Sequence, residues 1–350
     1  MKELNTVLVI MTDKHLGNFV ASIPAIKALK HFYRDKRFYL AVDNSYKEIA
    51  EAICRNDNLI LYPREGLRRC SAIKRAGIFF KFICQSRRVS PDLIIDLEAR
   101  HISSTVAFLT GAPLRIGSST ATRSWCYNRK VDLSKEEEHK VYKYLQISSA
   151  AGASYENPYA NLKASDAHVR SVKNKLSSML ISENKPIICI HPGAGKKFKE
   201  WTSEGFIEIS DWLSSEGLQV VFIGGNRDLP KIYEIIAGLK SHAYNMGGML
   251  SLGELIALLE ISSLYIGNDT GPLHIASAVG TIPAIGLFFH PGAHKRWFPF
   301  TKDSTVLRGD VGCRECKGNH CLTFECTKKL TPSEVKSALE KIIDRTLIMR

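Results

Sequence analysis

The stretch Gly267-Asn268-Asp269-Thr270-Gly271-Pro272-Leu273-His274 reads as a strand end, a glycine turn and a helix start. Pro272 falls in the first turn of that helix, where its missing N–H goes unnoticed. A buried strand that hands over to a helix in this way is the unit of a parallel α/β sheet. Backbone N–H groups at such a helix start bind anions. Thr270 adds a hydroxyl, and His274 lies near the same end. The spacing equally suits an ordinary turn with Asp269 or Thr270 as helix cap.

The pattern repeats on both sides of this stretch. Residues 186–190, 219–223, 264–266 and 282–287 read as strands, and 203–213, 231–239, 254–259 and 272–279 as helices. The first half has the same rhythm, with strands at 6–11, 37–42, 58–62 and 92–96. Helical spacing covers 17–32 and the region around 46–54, and a basic amphipathic helix precedes 92–96. Pro24 either marks the first turn of its helix or kinks it. A charged helix at 132–149 and a polar connection at 152–166 interrupt the alternation, so a boundary is expected between residues 1–160 and 161–350. Pro332 starts a terminal helix. The fold class is therefore α/β with two doubly wound parallel sheets. Such sheets bind ligands beyond the C-terminal ends of their strands. A shared interdomain cleft is the expected site.

Composition narrows the class of partner. With 45% apolar and 24% charged residues in 350, the chain has enough apolar mass for two cores. No apolar run approaches the roughly 18 residues of a membrane span. The short apolar stretch at 7–11 meets Asp13 and Lys14, unlike a signal peptide, and a cytoplasmic location is expected. The net charge is +13, and Arg64, Arg68, Arg69, Lys74, Arg75, Lys81, Arg87 and Arg88 crowd one span. That run is either a solvated face or an attraction for an anionic partner. Acidic lipid and phosphorylated sugar both fit; no zinc-finger, RRM or helix-turn-helix pattern supports nucleic acid.

Three further segments carry chemistry. His191-Pro192-Gly193-Ala194-Gly195 follows a strand and leads into Lys196, Lys197, Lys199 and Trp201. It lacks the spacing of a P-loop or a dinucleotide fingerprint. Its glycines and lysines suit a diphosphate, or a lysine-rich surface turn. The turn Asp13-Lys14-His15-Leu16-Gly17-Asn18 brings acid/base groups to the end of the first strand, or is a plain capped loop. Of nine cysteines, Cys313, Cys316, Cys321 and Cys326 cluster. Four close thiolates suit a tetrahedral zinc or iron, or stay reduced and packed.

These segments together resemble glycosyltransferase family 9, the ADP-heptose:lipopolysaccharide heptosyltransferases. The carrying residues are Leu16-Gly17-Asn18 with Pro24 and Leu29, residues 91–97, residues 191–201, Gly267 to His274 with Ala276 and Gly280, and the cysteine tail. The resemblance implies a GT-B fold, two Rossmann-like domains whose parallel sheets face the cleft. It places the acceptor on the first domain and the sugar nucleotide on the second. It implies that Lys199, Asp228, Asp269, Thr270, Gly271 and His274 bind the donor, with Asp228 on the ribose. Arg100 and Arg115 are the candidate acceptor contacts. The expected partners are a nucleotide-sugar donor, a phosphorylated glycolipid acceptor and a peripheral membrane surface at the inner face. Catalysis is expected to need no cofactor, so any zinc or iron is structural. The chain departs from the family at Asn18, where the general-base Asp is usual; a neutral amide takes no proton. Asp13 is then the nearest catalytic carboxylate, with Asn18 positioning the acceptor. Another nucleotide sugar, or a non-catalytic binding role, remains the alternative.

Overall fold

The computed structural model describes residues 4–67, 70–133, 139–313, 316 and 318–347. Arg68 and Arg69 of the basic run, and residues 134–138 of the expected charged helix, lie outside these. The chain divides into two compact units, Met1–Ala160 and Asn161–Arg350.

The first unit alternates β1 (Thr6–Met11), α1 (Leu16–Phe32), β2 (Arg37–Asp43), α2 (Lys47–Glu51), β3 (Leu59–Tyr62), α3 (Arg64–Leu67), α4 (Ala72–Arg88), β4 (Leu93–Asp96), α5 (His101–Leu109), β5 (Leu114–Ser118), β6 (Arg129–Val131) and α6 (Lys140–Ala150). Its sheet runs β3-β2-β1-β4-β5-β6, with every pair parallel. All six residues of β1 are buried, as an aliphatic strand covered on both faces requires. The chain winds outward from β1 in both directions, which creates the switch point where such sheets bind ligands.

Three details differ from the sequence pattern. Pro24 sits in the middle of α1, not in its first turn. The helix is buried from Phe19 to Ile26 and at Leu29, and this burial outweighs the ~3 kcal/mol that an interior proline costs. The helix expected from residue 132 begins at Lys140, where His139 accepts the N–H of Val141. β5 and β6 escape pattern reading because β6 is short and half exposed and β5 is broken by Arg115 and Gly117. Gly117 is needed there: a Cβ would lie 2.4 Å from the Tyr127 ring.

The second unit contains α7 (Asp166–Ser178), β7 (Ile187–His191), α8 (Ser203–Ser215), β8 (Gln219–Phe222), α9 (Leu229–Gly238), β9 (Tyr244–Asn245), α10 (Leu252–Ile261), β10 (Leu264–Asn268), α11 (Gly271–Val279), β11 (Ala284–Phe288), α12 (Ala293–Trp297), β12 (Ser304–Arg308), α13 (Glu325–Lys329) and α14 (Pro332–Leu347). The sheet order is β12-β11-β10-β7-β8-β9, again all parallel. Val335 and Leu339 carry α14 into the core beside Phe206, Phe222 and Ile266. Trp201 is buried, stacks edge-on against Phe206 and donates its indole N–H to the Leu330 carbonyl at 2.9 Å.

Two acids lie buried at the end of β4. Asp96 accepts from the Tyr127 hydroxyl at 2.6 Å and from the Ala99 N–H at 2.8 Å. Glu98 accepts from both the N–H and the hydroxyl of Thr12, at 3.1 and 2.6 Å. Burial outweighs these donors and raises the carboxyls to about 6 for Asp96 and about 7 for Glu98. The folded state thus holds these protons more tightly than the unfolded chain. The Glu98 contribution to stability is complete below its ordinary value of 4.5 and is lost as pH rises through about 7. Glu98→Gln should therefore flatten the fall in urea stability across that window; an unchanged slope would refute the assignment.

Candidate active site

β1 and β4 pair with Ile10 beside Asp96, so the segments that follow both strands meet at one sheet edge. Asp13 is buried there. One carboxylate oxygen accepts the His15 N–H at 2.8 Å, and the Nε of Arg100 lies 3.3 Å from the other. Ala99 makes this approach with φ at 54°, a left-handed conformation that costs an alanine about 1 kcal/mol. Asn18, in the first turn of α1, accepts from the Tyr144 hydroxyl of α6 at 3.3 Å. Beside Tyr144, burial and the neighbouring cations Lys140 and Arg100 lower the Lys143 ammonium below its ordinary range.

The structure therefore brings Asp13, Asn18 and Arg100 together. Arg115 does not join them. It stands near the start of β5, at the opposite edge, and donates to the carbonyls of Cys126 at 2.8 Å and Ala112 at 2.6 Å. It braces a turn. A cavity of about 610 Å³ in the same unit is lined by Lys14, Arg64, Arg75, His101 and Arg123, with Tyr62 in its wall. Arg64 is fixed by Asp43 at 3.0 Å and by the Thr12 carbonyl. The basic run in the sequence signalled Arg64 and Arg75. Nothing local signalled Tyr144, which lies 126 residues from its partner.

In the second unit, β7 and β10 pair with His191 beside Gly267. A Cβ at Gly267 would lie 2.8 Å from the His191 carbonyl, so only glycine allows this approach. Asn268 ties the two following loops: its amide N–H2 donates to the Pro192 carbonyl at 2.8 Å, and its oxygen accepts the Trp201 N–H at 3.0 Å. The His191 ring lies between Thr270, 3.0 Å from Nδ1, and Asp228, 3.4 Å from Nε2. Burial works against the charge of Asp228, but His191 and the Gly225 N–H hold its carboxyl below the ordinary range. Thr270 occupies the cap position of α11 without capping it; its hydroxyl is turned to His191 and the Asn268 carbonyl.

Lys199 places its ammonium 2.6 Å from Asp269, and His274 lies 3.8 Å from the other oxygen of the same carboxylate. Burial lowers the His274 imidazole, which keeps it neutral at neutral pH. Lys199, Asp228, Asp269, Thr270, Gly271 and His274 thus share one edge of one sheet. A helix start flanked by a fixed lysine and hydroxyl and imidazole groups is suited to a phosphate chain.

The four clustered cysteines line a smaller cavity of about 150 Å³ together with Phe198 and His290. Burial, then the neighbouring sulfurs, push the Cys326 thiol up. The Gly318 N–H points at the Cys316 sulfur, 3.4 Å away. Among the described residues, no group of three or more His, Cys, Asp or Glu side chains is placed to hold a metal ion as it stands.

Residues 79–326 match the family model of glycosyltransferase family 9 (heptosyltransferase). Lipopolysaccharide heptosyltransferase 3 of Escherichia coli is 26% identical over 298 residues, covering 82% of this chain and 84% of that protein. The crystal structure of a family 9 glycosyl transferase from Veillonella parvula DSM 2008 superposes with a TM-score of 0.82 at 18% identity, covering 97% of both chains. The E. coli ADP-heptose lps heptosyltransferase II gives 0.77 at 21% identity, covering 97% of this chain and 99% of that one. The two parallel sheets and the strand-end loops at 191–201 and 267–274 lie within or beside the matched region, and the chain belongs to glycosyltransferase family 9.

Proposed function

We propose that the protein transfers heptose, with inversion, from ADP-heptose to a lipopolysaccharide core acceptor. The observation that carries this reading is the joining of the β7 and β10 loops around the start of α11. There the leaving diphosphate would meet the N–H groups of α11, the Lys199 ammonium and the Thr270 hydroxyl, which stabilise the charge that develops as the bond between the anomeric carbon and the phosphate oxygen breaks. Asp269 holds Lys199 in place, neutral His274 donates or accepts without adding charge, and Asp228 takes the ribose hydroxyls. The acceptor, a phosphorylated glycolipid, occupies the first unit. Arg64, Arg75 and Arg123 of the cationic cavity receive its anionic groups in place of Arg115.

Asp13 is the base in this scheme. It accepts the acceptor proton as the hydroxyl attacks the anomeric carbon, and Arg100 and the His15 N–H orient it. Asn18 positions the acceptor. The protein works at the inner face of the membrane as a peripheral enzyme; among the described residues no helix is long and apolar enough to cross. A second reading, a sugar-nucleotide-binding protein without turnover, is favoured by the amide at Asn18. The cysteine tail belongs to neither step. Its donor chemistry suits one structural zinc or iron, which would fold the segment around Cys316 and Cys326.

A panel of nucleotide sugars with mass detection of the released diphosphate should single out ADP-heptose; no release from any donor would favour the binding protein. Lys199→Ala and His274→Ala should each weaken ADP binding about 10-fold in calorimetry, the scale of a lost charged hydrogen bond. Unchanged affinity in both removes the donor site. Asp13→Asn should lower turnover by roughly 10²-fold or more; near-normal turnover would pass the role to Glu98. Elemental analysis should find about one metal ion per chain, lost with Cys316→Ser. Metal-free protein of full stability would mean four packed thiols.

A further inference from the structure

α4 is exposed from Ala72 to Gly77 and again at Phe80, and its outer face has an unusual make-up. At 100° per residue, Ile73, Gly77, Phe80 and Cys84 fall on one stripe. Ile73 is 86% exposed and Phe80 67%, among the barest large apolar side chains in the described residues. A Cβ at Gly77 would meet nothing within 4 Å, so among the described residues nothing covers the middle of the stripe. The opposite stripe, Phe82, Ile83 and Ser86, is buried in the unit. The stripe is flanked by Lys74, Lys81 and Arg88 on one side and Arg87 on the other, and α4 contains no acidic residue. The inner side of the same turns supplies Arg75, Ala76 and Phe79 to the cationic cavity.

We infer that the outer face of α4 docks on an anionic lipid surface, with Ile73 and Phe80 inserted between headgroups and the flanking lysines and arginines on lipid phosphates. An apolar stripe bordered on both sides by cations is the pattern of a helix lying in a membrane interface. A partner recognised by charge alone, such as nucleic acid, gives no role to two bare apolar side chains. The orientation sets the mouth of the cationic cavity beside the bilayer, where a glycolipid presents its sugar while its acyl chains stay in the membrane. This last step rests on the glycolipid reading above; the docking face does not.

The test is flotation of the full chain with vesicles of equal parts phosphatidylglycerol and phosphatidylethanolamine, against pure phosphatidylcholine. Binding should be at least ~10-fold tighter to the anionic vesicles. Ile73→Ser with Phe80→Ser should weaken it about 10-fold at every salt concentration. Lys74→Gln with Lys81→Gln should weaken it at low salt and flatten its salt dependence. The apolar double variant should act like wild type on a water-soluble acceptor lacking acyl chains and lose activity on the same acceptor carried in vesicles. Equal binding to both vesicle types, or wild-type binding by the apolar double variant, overturns the proposal. Vesicle binding with the expected pattern in a protein that transfers no sugar would sink the transferase reading and leave the docking face standing.

Discussion

The backbone ladder between β7 and β10 is the contact on which the second unit's chemistry depends. It sets Gly267 against His191 so closely that a side chain at Gly267 is excluded. Everything after each strand is then delivered to one place. Asn268 bonds to the loop after β7, Thr270 turns to His191, and Asp269 reaches Lys199. Residues some seventy positions apart thereby become neighbours without any long-range side-chain contact having to find its partner first. The β1–β4 ladder does the same in the first unit, where Ile10 beside Asp96 brings Asp13 to Arg100.

The two edges differ in how they manage charge. In the second unit each anion has a nearby cation or imidazole: Asp269 has Lys199 and Asp228 has His191. The first unit buries two carboxyls, Asp96 and Glu98, on neutral donors from Tyr127 and Thr12. Desolvation raises both, and for Glu98 it outweighs the opposing charge of Arg64. Asp13, paired with Arg100, is the carboxylate of this group that carries an ion pair with a partly exposed side chain. That ion pair sets Asp13 apart from the two buried acids.

Much of this was legible in the chain, for reasons that vary by residue. The alternation of strands and helices and the glycine turns at 193–195 and 267–271 are local signals. They located the fold and the two strand-end loops because a parallel sheet puts all strand ends on one edge. The role of Glu98 beside Thr12, and of Tyr144 beside Asn18, depends on partners 86 and 126 residues away, and no periodicity encodes them. The place of Arg115 was not readable either: it stands near the start of β5, at the edge opposite Asp13 and Arg100, and donates to the carbonyls of Cys126 and Ala112. β5 and β6 went unread because Arg115, Gly117 and the half-exposed β6 carry no apolar run.

Ligand loops usually come from the least stable part of a domain and order when they bind. Trp201 makes the end of the loop after β7 an exception. Its backbone N–H is held by Asn268 and its indole N–H by Leu330, at the entry to the helix that carries Val335 and Leu339 into the core. The Trp201 end of the loop is therefore tied to the core, while Gly195, Lys196 and Lys197 at its tip stay exposed. Slow amide exchange is expected at Trp201, where the backbone is ordered as the unit folds. A ligand meeting that end would find a surface already set, with little reorganisation left to make.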